Sequence, residues 1–377
     1  MKQVITYKRI FLLLLSPVSL LLIILAKKSS FFAEQIYAKH FYKWISQILS
    51  TITGVIPFSL AEMIVIVVPV VLLAVVIRFL IRIIVDKVER RKQLLKGILN
   101  LLCSISVVLF LFTLFAGINY YRYPFSVYSN LTIGESSLDE LYALTESLAI
   151  RANELRAQVT NTDENGVFQL SESRSELGRD ANIAYVELGK EYPVLRGNYG
   201  PPKSVVFSKY MSNAEITGMF FPFTMEANIN VDIPDYSIPS TMLHELAHLR
   251  GFMREDEANY LAYLSGIESD SVEFQYSSTM LALIISANAL YEQSREDYFV
   301  IKAMYSQGVL NDISMNSSYW KEYKNTVVSR TSNHVNNMYL KANDQSDGVK
   351  SYGRMLDLLL AKYRKDNEVK LVERDKN

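Results

Sequence analysis

Three long apolar runs occupy the first third of this chain, and the pattern after them is of a different kind. Ile10 to Ala26 is continuously apolar, just long enough to span the hydrocarbon core of a bilayer. Phe58 to Val85 is longer, interrupted by Glu62 near its start and by Arg78 and Arg82 near its end. Arginines so placed reach the interface along their own stems, and the run still reads as a span. Gly97 to Tyr121 is the third. A buried soluble helix is the alternative for each, but three in succession argue for membrane helices over about 10–26, 58–85 and 97–121. Downstream, residues 137–159 and 177–188 read as helices on either side of the polar loop 161–166. Residues 204–208, bounded by Gly200-Pro201-Pro202, are β-branched and aromatic, as expected of a strand. Two further extended runs, 218–223 and 227–231, follow with a turn between them.

Charge orients the spans. Lys2, Lys8 and Arg9 precede the first, and Lys87, Arg90, Arg91, Lys92 and Lys96 crowd the inner loop 86–96, so both ends belong in the cytoplasm. The first span resembles a signal peptide, but Lys27-Lys28 stands where a small-residue cleavage site is needed, and an uncleaved anchor is expected. The outer loop 27–57 mixes Phe31, Phe32, Tyr37, Phe41, Tyr42 and Trp44 with lysines, which predicts a helix lying in the interface. Residues 1–121 then form a multi-pass membrane region, and 122–377 a domain outside the cytoplasm with its own core. The spans make the lipid bilayer an expected partner, and a net charge of zero, from 39 basic and 39 acidic residues, gives no signal for nucleic acid. The sole cysteine, Cys103, lies in the third run, and no disulfide can form within the chain.

The chemistry is concentrated at His244-Glu245-Leu246-Ala247-His248, which uses two of the four histidines. On a helix, residues four apart share a face, so both imidazoles can meet one ion. Zinc takes neutral imidazole and, with three protein ligands, keeps a position open for water. Glu245 stands where a carboxylate can take that water's proton. Pro239-Ser240 gives a turn and a Ser N-cap before the motif, and Gly251 a stop after it. Arg250 occupies a place where peptidase motifs of this class carry a hydrophobic residue. A second helix is expected from Arg254, and its Glu255-Asp256-Glu257-Ala258-Asn259 resembles the E-x-x-A-[DN] element of gluzincin peptidases. That resemblance implies Glu255 as third ligand and Asn259 as the group orienting a histidine. Glu257 is the rival ligand, and an ordinary acidic first turn explains the same residues without metal.

The run from about Lys203 to Leu290 resembles the bacterial membrane family called domain of unknown function 3810. The recurring elements are Glu215-Ile216-Thr217-Gly218, Phe221-Pro222-Phe223-Thr224, Glu226-Ala227-Asn228, the His244–His248 motif, Arg250-Gly251-Phe252 and Tyr276-Ser277. Others are Ile56-Pro57-Phe58-Ser59, Asn119-Tyr120-Tyr121-Arg122 and the stretch 347–353. The family is grouped with HExxH metallopeptidases on that motif, which implies a bacterial cell-membrane location. The expected fold class is α+β, mainly helical: three transmembrane helices, then a zincin-like domain with a small sheet beside the HExxH helix. Tyr276 is the leading candidate for stabilising an oxyanion, with Tyr352 and His334 behind it. Glu226 and Asn228 either line the cleft or cap the hairpin. Two functions fit: a zinc peptidase acting on peptides or proteins outside the cytoplasm, or a silent membrane sensor or scaffold that keeps the zincin fold. The intact Glu245 favours the first, since a binding module has no need of a general base. The motif is remote from every span in sequence, which argues against cleavage within the membrane.

Overall fold

A computed structural model describes residues 4–345 and 354–374. The stretch 347–353, with Tyr352, lies outside the described residues. The chain begins with helix α1 (Tyr7–Lys28), turns through a π-helix (Phe32–Tyr42) into α2 (Lys43–Gly54), and continues as α3 (Leu60–Val85) and α4 (Arg90–Phe115). Helices α1, α3 and α4 are long and apolar enough to cross a bilayer, and no part of the apolar stretch of α3 is buried by the rest of the chain. The third helix is displaced from the expected 97–121. Its basic start extends it to Arg90, whereas 117–121 form a 3-10 turn that carries Ile118 and Tyr120 into the core of the domain.

A local defect joins α1 to α4. Pro17 lies inside α1 and has no N–H, so the Leu13 carbonyl loses its usual donor. The Ser106 hydroxyl on α4 donates to Leu12 O at 2.7 Å and lies 3.3 Å from Leu13 O, while the Ser16 N–H donates to Ser106 Oγ at 2.8 Å. Where no water can take an orphaned backbone group, such a contact fixes one helix against another.

Beyond the spans come α5 (Phe125–Ser129), α6 (Leu138–Gln158) and α7 (Arg174–Glu191). Capping boxes at Ser137 with Glu140 and Ser173 with Glu176 start α6 and α7, and the second sets α7 three residues ahead of the expected 177. Then follow β1 (Lys203–Ser204), α8 (Ser208–Asn213), β2 (Gly218–Phe221), β3 (Glu226–Ile229), α9 (Ile238–Leu249), α10 (Glu255–Ile267) and α11 (Val272–Gln293). Helices α12 (Arg295–Ala303), α13 (Gln307–Tyr323), α14 (Val327–Ala342) and α15 (Met355–Arg374) complete the chain. The fold is mainly helical with one small sheet, of order β1-β3-β2. β3 pairs parallel with β1 and antiparallel with β2, leaving β2 on an edge. The expected strand 204–208 stops almost at once. Val206 and Phe207 turn their N–H groups to the Glu62 carboxylate of α3 instead of to the sheet, and α8 begins at Ser208.

The expected division at 121/122 is not followed by the packing. Residues 27–57 do not simply lie in an interface. Ala33, Tyr37, Ala38 and Tyr42 are buried, while Phe41, Trp44, Ile48 and Ile52 are exposed on the other side. Arg122 makes a bidentate pair with Glu34 at 2.7 and 3.0 Å, and its Nη1 donates to Arg250 O at 3.1 Å. Lys203 donates to Thr53 O, Phe58 O and the Glu226 carboxylate. Glu226 also accepts from the Leu60 and Ala61 N–H groups, at 3.1 and 2.8 Å, and Ser59 donates to Asn228 Oδ1 at 2.6 Å. A carboxylate at those free N–H groups satisfies them and meets the positive end of α3. Glu226 and Asn228 therefore do not line the cleft; they brace the hairpin, through Thr224 and the Met219 carbonyl, and tie the sheet to the start of a membrane helix.

Candidate metal centre

Helix α9 begins at Ile238, with Pro239 in its first turn. Ser240 is not the N-cap: its hydroxyl and that of Thr241 donate back to Ser237 O, and its N–H donates to Ser277 Oγ. The helix ends in a turn at Gly251, whose φ of 87° lies in the region only glycine enters freely. That turn aims α10 back across α9. Sheet strands β2 and β3 pack on α9 from one direction, and α7, α10 and α11 from others.

His244, His248 and Glu255 converge. The two Nε2 atoms are 3.0 Å apart, and Glu255 Oε2 lies 3.2 Å from one and 3.5 Å from the other. A tetrahedral ion with bonds of about 2.0–2.1 Å has ligand-to-ligand edges of about 3.3 Å. The three measured edges bracket that value. Tautomers matter more than spacing. His244 Nδ1 is 2.7 Å from Asn259 Oδ1, and His248 Nδ1 is 2.8 Å from the Phe252 carbonyl. Each Nδ1 donates to its oxygen, so in the neutral ring it is Nε2 that presents the lone pair. Two ring nitrogens and a carboxylate oxygen then face one another, an arrangement that needs a positive charge among them, a proton on His248 or a metal ion in its place. The donor set and its spacing fit zinc.

Protonation reflects the same crowding. Burial works against a charge on His248, yet the adjacent Glu255 carries its pKa up to about 9. Glu255 is held far below the usual carboxylate range, with burial opposed and outweighed by the two imidazoles. Burial raises Glu245, against the pull of His244 and His248. The Glu245 carboxylate accepts from the Phe220 N–H, and its Oε2 is buried without a hydrogen-bond partner. Gly218 makes room for it: a Cβ there would stand 2.5 Å from Glu245 Oε1.

The other expected residues separate. Glu257 points away, accepting from the Phe125 N–H at 2.8 Å and pairing with Arg254 at 3.3 Å. The rival third ligand is thus part of the core. Tyr276 is fully buried; its hydroxyl donates to Asp312 Oδ2 at 2.6 Å and its ring stacks on Phe168, so it has no access to the triad. His334 is exposed on α14 and does not line the cleft. The phenols in the cleft wall include Tyr120 and Tyr339, whose hydroxyls are 2.9 Å apart. Neither stands out among 24 tyrosines in the sequence. Gly218 and Phe220 were also missed as supports of Glu245, although Gly218 belongs to a recurring family element.

The triad and Glu245 sit in a cleft of about 1060 Å³, whose wall includes all of β2 and much of α14. Phe112, in the last turn of α4, is also in that wall. The motif is remote from every span in sequence but not in space. No curated protein and no solved structure matches the chain. A family model, "Protein of unknown function (DUF3810)", matches residues 37–360. That match takes in the paired segment around Tyr42, two of the spans, the sheet and the whole triad, and the chain belongs to the DUF3810 family.

Proposed function

We propose that this chain is a membrane-anchored, zinc-dependent metallopeptidase that hydrolyses peptide bonds outside the cytoplasm of a bacterial cell. The observation that carries the reading is the meeting of two histidine Nε2 atoms and a carboxylate oxygen at tetrahedral spacing beside the buried Glu245. When bound there, zinc supplies a Lewis acid that polarises a carbonyl and acidifies water. The chain's own residues do the rest. Asn259 and the Phe252 carbonyl hold both imidazoles in the tautomer that leaves Nε2 free. Glu245, fixed by the Phe220 N–H, accepts the proton of the attacking water and returns it to the leaving amine. β2 is an edge strand in the cleft wall, a position suited to pairing with an extended peptide around the Phe220 N–H that Glu245 takes.

Orientation follows from continuity. The end of α1, the start of α3 and the end of α4 all meet the domain, so the basic N-terminus and the basic 86–96 loop lie together on the opposite, cytoplasmic side. The test uses full-length protein in detergent, loaded with zinc and offered a peptide library. Glu245→Gln should keep zinc and lose at least about a thousandfold in kcat, about 4 kcal/mol of barrier. Equal turnover by both proteins, or none by the zinc-loaded wild type, would favour a silent scaffold.

A further inference from the structure

At the C-terminal end of α9 lies a second cavity, of about 400 Å³, which shares no lining residue with the cleft. Lys39, Lys43, Arg122 and Arg250 line it with Tyr128 and Tyr199, and no carboxylate does. Only one of the four cations has an acidic partner among the described residues: Arg122, which pairs with Glu34. Lys39 donates to the neutral Gln35 Oε1. Arg250 is 4 % exposed, donates to the Leu195 and Leu246 carbonyls, and lies over the Tyr185 and Tyr199 rings at 4.0 and 4.6 Å.

A guanidinium buried without an anion is costly, and ring faces and carbonyls offset that cost only in part. The neighbouring cations make it worse. Burial first, and then Arg196, Arg122 and Lys39, push the Lys43 amine down from its ordinary value. Three unpaired cations converging on one hollow are tolerated where an anion completes the set. Planar guanidinium groups suit the oxygens of a phosphate, and lysines add charge at the rim. The volume is within the range of small-ligand sites.

The level of the cavity in the molecule narrows the ligand. Lys39 and Lys43 lie on the segment that follows the outer end of α1, next to the exposed Phe41, Trp44 and Ile48. Exposed aromatic residues beside lysines mark the boundary between lipid and water. We infer that this cavity binds a phosphate-bearing anion, supplied by the headgroup of an acidic phospholipid or by free phosphate. The site is independent of the peptidase reading but adjoins the same helix. Arg122 in the cavity wall donates to the Arg250 carbonyl, and Tyr42, next to the lining Lys43, donates to the His248 and Leu249 carbonyls, so the cavity adjoins the contacts that hold the end of α9 carrying His248.

The test compares full-length wild type with the double variant Lys39→Gln/Lys43→Gln by thermal unfolding. One arm titrates inorganic phosphate in neutral detergent at constant ionic strength. The other places each protein in phosphatidylcholine nanodiscs with and without phosphatidylglycerol. Wild type should unfold several degrees higher with the anion in at least one arm, and the variant should lose most of that shift. A response to phosphatidylglycerol alone identifies lipid as the source, and a response to phosphate identifies the free anion; either supports the site. Without anion, the variant should be at least as stable as wild type, because it has lost mutual repulsion and no ion pair, and glutamine at 39 can still donate to Gln35. Equal shifts in the two proteins, no shift in either arm, or a variant that is less stable without anion would overturn the inference.

Discussion

Two regions of this molecule bury charge, and they do it in opposite ways. At the seam between the membrane helices and the domain, Arg122 meets Glu34, and Lys203 meets Glu226, which also caps α3. Every group there has its complement, and the result is a joint. At the triad, two imidazole nitrogens and a carboxylate oxygen crowd one point with only a proton on His248 to hold them together, and the Glu245 Oε2 beside them has no partner. Satisfied charge holds the fold together. Charge that the chain itself leaves unsatisfied marks the place where something else must bind.

The comparison breaks most sharply at the third ligand. Glu255→Ala leaves two histidines and should lose stoichiometric zinc, whereas Glu257→Ala should retain it and lose stability through the Phe125 N–H left behind. Metal analysis of the purified variants checks this, and zinc lost from Glu257→Ala alone would reverse the assignment. Next comes the seam. Glu34→Ala strands a buried guanidinium and should cost about 3–5 kcal/mol of stability by denaturant unfolding in detergent. Zinc affinity of the protein that remains folded should be unchanged; a parallel fall in both would erase the distinction between joint and site.

A smaller effect is expected from Asn259→Ala. It removes the acceptor that fixes His244 and should weaken zinc about ten- to a hundredfold in a competition titration. Tyr276→Phe should have the smallest effect, about 1–2 kcal/mol of stability from the lost hydroxyl bond to Asp312. Its kcat on any peptide that the wild type cleaves should stay within about twofold, the expectation for a phenol with no access to the reacting atoms. A large fall in kcat with unchanged stability would return Tyr276 to the catalytic set.

What could be read from sequence alone divides along the same line. The spans and the histidine pair are local patterns, fixed by run length and by the 3.6-residue period. Helix geometry said only that Glu255 and Glu257, about 200° apart, cannot both face the ion; the resemblance to the gluzincin element favoured Glu255, and the positions of Glu255 and Glu257 in the structure agree with it. The failures are contacts across long stretches of chain. Tyr276 has its partner on a helix 36 residues further on, and the strand at 204–208 is cut short by Glu62 from 144 residues before. Neither Tyr339 nor Phe112 carries any local sign that it borders the triad.

The buried seam also imposes an order in time. The Tyr42 hydroxyl meets carbonyls that are 206 and 207 residues downstream, and the two N–H groups at the start of α3 wait for a carboxylate 166 and 165 residues away. At about 5–20 residues per second, a ribosome takes roughly 10–40 s to deliver the strand between Tyr42 and its partners. Throughout that interval the first helices are already made, while the segment that must fold back on them is still being synthesised. Because the Tyr42 hydroxyl holds the His248 and Leu249 carbonyls, the full set of contacts around the triad cannot form until that stretch has been made. A chain whose first helices alone have been made therefore has not yet brought His244, His248 and Glu255 together.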